Sequence, residues 1–193
     1  MEEVKEVLAL FDTPEKWNAF IELSNMRNEM VNELKSRLIN ELRKIADNSF
    51  LAKKGWEYWF DANYLILRPI DNSLIAIQID WQQWGCEWCR RGACVWVDAK
   101  SIDSNAVFIK IKSKKAYLPL KDYEENIENH RWFPFVKQIP SRVFNVADDI
   151  TSVEECLYMA KDNSAQLAKN IWEDVFKPFI DKETADLMKS IVM

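Results

Sequence analysis

From residue 14 onward the apolar positions recur every three or four residues: Trp17, Phe20, Leu23, Met30, Leu34, Leu38, Leu42 and Ile45. This is the stripe of an amphipathic helix, with glutamates and basic residues filling the rest of the circumference. Thr13-Pro14-Glu15 starts it, giving a hydroxyl cap, proline at the first helical position and an acid in the first turn. The helix is expected to end near Asn48 and to pack against the core. The polar stretch Asn25-Met26-Arg27-Asn28 predicts a kink or a division into two helices.

After Gly55 the period changes to two. Residues 56–60 and 64–69 read as strands joined by a short turn at Asp61-Ala62-Asn63, and Asp71-Asn72-Ser73 is again turn chemistry. Ile75, Ile77, Ile79 and Trp81 alternate with Ala76, Gln78 and Asp80, the mark of a half-buried strand. Val107, Ile109 and Ile111 alternate with Phe108, Lys110 and Lys112 and predict another strand. Strands that follow one another through short turns imply an antiparallel meander. Helix returns over 121–132, a charged segment closed by Pro134. A capping box, Ser152 with Glu155, then opens a helix through Leu157, Leu167, Ile171, Trp172 and Val175. Pro178 is expected to interrupt it before a last helix over 181–191. The fold class is therefore α+β: an antiparallel meander of five to six strands, flanked by a long N-terminal helix and C-terminal helices, in one domain over 1–193.

Composition agrees with one folded domain. Of 193 residues 48% are hydrophobic, and three glycines and six prolines leave little room for flexible linkers. No apolar run approaches the roughly 20 residues that cross a bilayer. The N-terminus, Met1-Glu2-Glu3-Val4-Lys5-Glu6, is acidic where a signal peptide is basic, which points to the cytoplasm. The net charge of −5 is dilute, and residues 51–150 carry 14 basic and 13 acidic side chains. Nothing there supplies the basic excess that phosphate binding requires, so charge does not support a nucleic-acid partner.

Six of the nine tryptophans fall between Trp56 and Trp96. A three-residue loop, Arg90-Arg91-Gly92, with Gly92 left-handed, would make residues 84–98 a hairpin. That register pairs Cys89 with Ala93, Trp88 with Cys94, Glu87 with Val95 and Cys86 with Trp96. It places Trp84, Trp88 and Trp96 on one face, and we expect at least two of them to be partly exposed as a partner or self-association surface. It also separates Cys86 and Cys94 from Cys89, so these thiols, with Cys156 or His130 as a fourth ligand, do not converge on zinc. No metal and no cofactor are expected, and a reducing compartment keeps the cysteines as thiols. His130 is the only histidine, and no glycine-rich phosphate loop or Gly-x-Ser-x-Gly is present. Most familiar hydrolase and nucleotide-binding classes are thereby excluded.

One pattern points to chemistry. Val95-Trp96-Val97-Asp98-Ala99-Lys100 is a hydrophobic strand ending in Asp-x-Lys, preceded by a strand ending in Asp80 and by a glutamate-bearing helix. This order resembles the PD-(D/E)XK nuclease superfamily over roughly residues 30–115. The resemblance implies Asp80 and Asp98 as ligands of a divalent metal such as magnesium, Lys100 as the lysine that assists the attacking water, and Glu41 as a helix-borne acid. The chain departs from the pattern where Ile79, not proline, precedes Asp80, and Pro69-Ile70-Asp71 is a competing match. In the hairpin register Asp80 and Asp98 stand four residues out of step, roughly 13 Å. A resemblance to non-catalytic members of that group implies instead an accessory role in bacterial or phage nucleic-acid processing or defence. The sequence thus favours a non-enzymatic binding or accessory protein with a protein partner. A divergent metal-dependent nuclease is the alternative, and aromatic recognition of a small ligand or a single strand is a third reading.

Overall fold

The computed structural model describes residues 8–84, 91–129, 131–182 and 184–193. Helix α1 spans Pro14–Asp47 without a break, and the Lys16 amide donates to Thr13 Oγ1 at 3.3 Å as the cap predicted. The division expected at 25–28 is absent because those side chains face solvent and the backbone ladder needs no change there. At the far end of α1, Leu38, Ile39, Leu42 and Ala46 are buried. The chain then turns through a 3-10 segment, Leu51–Lys54, into the sheet at Gly55. Gly55 has φ +78°, and a Cβ there would lie 3.0 Å from the Ala185 side chain, so both backbone and packing require glycine.

Strands β1 (Trp56–Phe60), β2 (Tyr64–Pro69), β3 (Ile75–Asp80) and β4 (Gly92–Val97) form the expected antiparallel meander. Two further strands, β5 (Glu124–Glu125) and β6 (Phe135–Gln138), complete a six-stranded sheet of order β1-β2-β3-β4-β6-β5 among the described residues. The register aligns Tyr58, Leu67, Ile77, Val95 and Phe135 in one row across five strands. Alternation puts Ile75, Ile79, Ala93 and Val97 on the same face. Helices cover that face: Trp56 meets Phe179 edge-on at 6.3 Å and Phe60 lies 5.6 Å from Phe176.

Three expected elements differ. Residues 107–111 are helical within α2 (Ser104–Lys114), because Asp103 caps it through the amides of Asn105 and Ala106. Val107 and Ile111, one turn apart, are buried, while Ile109 is left exposed. The segment 121–132 is not a helix: Tyr123 is buried against Phe179, and Glu124–Glu125 add an edge strand to β6. The hairpin register for 84–98 is also overturned. Ala93, Cys94 and Val95 pair with β6, and Cys94 to Val97 with β3, so both edges of β4 are taken. Gly92 opens β4 without a positive φ. Arg91 is buried, its guanidinium donating to the main-chain carbonyls of Ile139, Asp148 and Ile150. Cys86, Glu87, Trp88 and Cys89 lie outside the described residues, as does His130.

After α3 (Ser141–Phe144), the long C-terminal helix is divided into α4 (Val153–Met159) and α5 (Ser164–Ile171). The Ser152 cap forms, the Glu155 amide donating to Ser152 Oγ at 3.2 Å, and the Glu155 carboxylate accepts from the Ser152 hydroxyl at 2.7 Å, not from the backbone amide of a full capping box. A π-helical turn, Trp172–Phe176, precedes α6 (Lys177–Asp181), and α7 (Ala185–Val192) ends the chain. Pro178 has no N–H to give Asp174, four residues earlier. The free Asp174 carbonyl accepts instead from Lys137 Nζ on β6 at 2.8 Å. The same ammonium lies 2.8 Å from Asp174 Oδ2, as an ion contact rather than an aligned hydrogen bond. Lys137 is 9% exposed on the helix-covered face. Removing one member of such a pair leaves an uncompensated charge, whereas replacing both with apolar groups is tolerated. Lys137→Ala is expected to lose about 3 kcal/mol in urea unfolding. Lys137→Met combined with Asp174→Leu should recover most of it. Equal losses for the single and double variants would show that the pair is not what ties β6 to the π-turn.

Candidate functional site

The face of the sheet turned away from the C-terminal helices carries Tyr64, Ile66 and Arg68 of β2, Ala76, Gln78 and Asp80 of β3, and Cys94 and Trp96 of β4. Alternation alone sends them there. All of these but Cys94, with Trp132 and Phe133 as a wall and Lys100 at one end, line a groove of about 480 Å³. Tyr64 and Asp80 are paired at one end, and Ala76 is paired with Trp96 at the other. These two rows are four residues apart, roughly 14 Å.

The two ends differ in charge. Asp80 is 5% exposed, its Oδ1 accepting from the Gln82 amide at 2.9 Å and its Oδ2 from Gln78 Nε2 at a long 3.4 Å. No cation pairs with it among the described residues, and burial raises its pKa against the opposing bonds from Gln82, Gln83 and Gln78. At the other end Arg68 Nε holds Glu57 at 2.8 Å across β1 and β2, and Lys100 is exposed.

The structure separates the residues that the nuclease resemblance joined. In the observed register Asp80 lies level with Gly92, so Asp98 stands six positions further along, roughly 20 Å away. The longer offset arises because β3 pairs directly with β4, in place of the expected pairing of residues 84–89 with β4. Asp98 instead closes a turn: its carboxylate accepts from Ser101 Oγ at 2.6 Å and the Lys100 amide at 3.1 Å, and these bonds lower its pKa. Metal–ligand contacts are 2.0–2.6 Å, so Asp80 and Asp98 do not fit one ion. Asp80 and Lys100 do share the groove. Glu41 is ion-paired to Lys44 at 2.6 Å, in a separate cleft beside Trp172. Among the described residues no three His, Cys, Asp or Glu side chains gather as a metal site.

Of the three tryptophans expected at an interaction surface, Trp84 is buried, so the expectation that at least two are partly exposed rests on Trp88 and Trp96. Trp84 meets Phe144 edge-on at 5.3 Å and Trp81 at 4.8 Å, and its Nε1 donates to the Gly92 carbonyl at 3.2 Å. Trp81 continues the inward isoleucine row past the end of β3, and Trp84 packs onto it. Trp96 is half-buried in the groove, and Trp88 lies outside the described residues. Cys94 and Cys156 are buried; the Cys94 thiol donates to the Gln78 carbonyl at 3.4 Å, and burial pushes the Cys156 thiol up to about 11.

A second surface escaped the sequence reading. Only the C-terminal half of α1 packs on the domain. In its N-terminal half Trp17 is 42% exposed, Phe20 40%, Leu23 63% and Met30 51%. Phe11, Trp17 and Phe20 form an aromatic cluster at that end. With Tyr158 and Met159 of α4, residues Phe20 to Leu34 line an apolar groove of about 660 Å³. The Arg27–Glu154 ion pair, 3.1 Å, spans it. Length was the available signal. A helix of 34 residues runs about 51 Å, and a body of this chain length is only roughly 40 Å across.

No family model, no curated protein and no solved structure matches this chain. No described helix is long and apolar enough to cross a membrane.

The groove's buried acid has a stability signature. A carboxyl whose folded pKa lies above its ordinary 3.8 burdens the fold while it is charged, and the burden lifts as pH falls through the raised value. Asp80→Asn should therefore be more stable than wild type at pH 7 in urea unfolding, and the difference should close as pH approaches 3.8. A variant less stable at pH 7 would show that the carboxylate supports the fold.

Proposed function

We propose that the protein is a non-enzymatic binding or accessory module that joins another polypeptide chain, its own copy included, through the projecting half of α1. The carrying observation is the apolar stripe of α1, which continues past the domain it packs on. Leu34, Leu38 and Leu42 bring the stripe into the core, and Phe20, Leu23 and Met30 extend it outward with no covering element among the described residues. A monomer rarely presents so continuous an apolar face, and burying a helix face in a partner is a common solution.

The nuclease alternative has one point in its favour, the shared groove of Asp80 and Lys100. Against it stand the separation of Asp98 and the absence of a basic surface in the composition. The nucleic-acid processing or defence setting rests on the sequence resemblance.

Sedimentation of the purified protein at about 100 µM is expected to show reversible self-association, since its own copy is then the only partner on offer. Phe20→Ser, Leu23→Ser and Met30→Ser together should give a monomer that still folds, because these side chains lie outside the buried core. A wild-type monomer throughout the series would remove this reading.

With magnesium or manganese, the wild type is expected to cleave DNA or RNA no faster than Asp98→Ala, Lys100→Ala. Metal-dependent cleavage that the double variant lacks would put the nuclease reading first.

A further inference from the structure

We infer that the groove on the sheet's second face is a binding site for a short peptide with both ends free. The peptide's ammonium sits on Asp80 and Gln78, and its C-terminal aromatic residue lies at Trp96, with the carboxylate on Lys100. This site is separate from α1 and does not depend on the assembly role proposed for that helix.

The argument starts from the buried carboxylate. Asp80 is held in a position where its charge costs stability, without a cation to offset it among the described residues. Its bond from Gln78 is long, and the Gln78 side chain is 4% exposed beside it. A carboxylate and an amide lining one end of a concave site are complementary to a donor-rich, cationic head. At the Trp96 row, roughly 14 Å away, and beyond it the chemistry is reversed: Lys100 offers positive charge, Arg68 is already held by Glu57, and Trp96 and Trp132 offer aromatic surface. Between them the floor is Ile66, paired with Gln78, which suits an uncharged middle. The ligand must therefore be positive at one end, negative and aromatic at the other, and narrow between.

Length selects a peptide. Three extended residues span about 10 Å from ammonium to carboxylate, and an ion contact of about 3 Å at each end brings the reach to about 16 Å, past the Trp96 row towards Lys100. The volume of about 480 Å³ accommodates a molecule of that size. A nucleotide fits less well, because its phosphate end would face the tryptophans while its base lay over Ile66. It also carries no cation for Asp80.

Titration of the full chain with Gly-Gly-Phe, followed by calorimetry and by tryptophan emission, tests the inference. Saturable binding with a dissociation constant on the order of 100 µM is expected. N-acetylation and C-amidation of the peptide should each weaken it at least tenfold. Asp80→Asn should weaken the free peptide tenfold and leave the acetylated one unchanged. Lys100→Ala should do the same for the free acid against the amide. Equal binding of the three peptides, or none with the variants still folded by circular dichroism, overturns the site. So does tighter binding of guanosine monophosphate or oligothymidylate that Asp80→Asn leaves intact.

Discussion

The row of side chains that crosses five strands, Tyr58, Leu67, Ile77, Val95 and Phe135, holds the fold together. It commits one face of the sheet to the helices, and each strand then sends its alternate residues to the other side. A slip of one position anywhere would exchange the two sets and expose the isoleucines of β3. The register is therefore strongly specified, and so is the composition of the second face. Gln78, Asp80 and Trp96 line a groove there because Ile77, Ile79, Val95 and Val97 are needed in the core. Lys137 is the exception on the packed face, admitted because Pro178 frees a carbonyl for it in the π-turn.

The same constraint explains why the two acids of the Asp-x-Lys pattern do not meet. In an antiparallel pair, residues at the C-terminal ends of adjacent strands lie at opposite ends of the ladder. Asp80 ends β3 and Asp98 follows β4, so direct pairing of β3 with β4 drives them apart. Asp98 becomes a turn residue bonded to Ser101, and Asp80 becomes a buried acid at one end of a groove. Similar positions in sequence acquire opposite environments, and the directions of their pKa shifts differ accordingly.

Two misreadings share a cause. The run Val107-Phe108-Ile109-Lys110-Ile111-Lys112 satisfies a period of two, yet Val107 and Ile111 also sit one helical turn apart. Asp103 decides for the helix by capping it, and β4 already has a neighbour on each edge. In 121–132 the density of charge suggested a solvated helix. The buried Tyr123 ring, packed on Phe179, and the pairing of Glu124 and Glu125 with β6 outweigh that weak local preference. Short segments carry too little intrinsic preference to resist one well-packed aromatic ring or one available sheet edge.

What the amino-acid sequence determined by itself was local and periodic: the caps at Thr13 and Ser152, the alternation in β1 to β3, the reach of α1 and the α+β class. Each depends on neighbours within a few residues, so the pattern carries it. The tertiary structure alone decided which strand lies beside β4, that Trp84 is interior and Trp96 half-exposed, and which end of α1 packs on the domain. Those outcomes depend on contacts between residues from 16 to 127 positions apart. Single side chains cannot signal them, because burial of a tryptophan is a property of the surface that arrives to cover it.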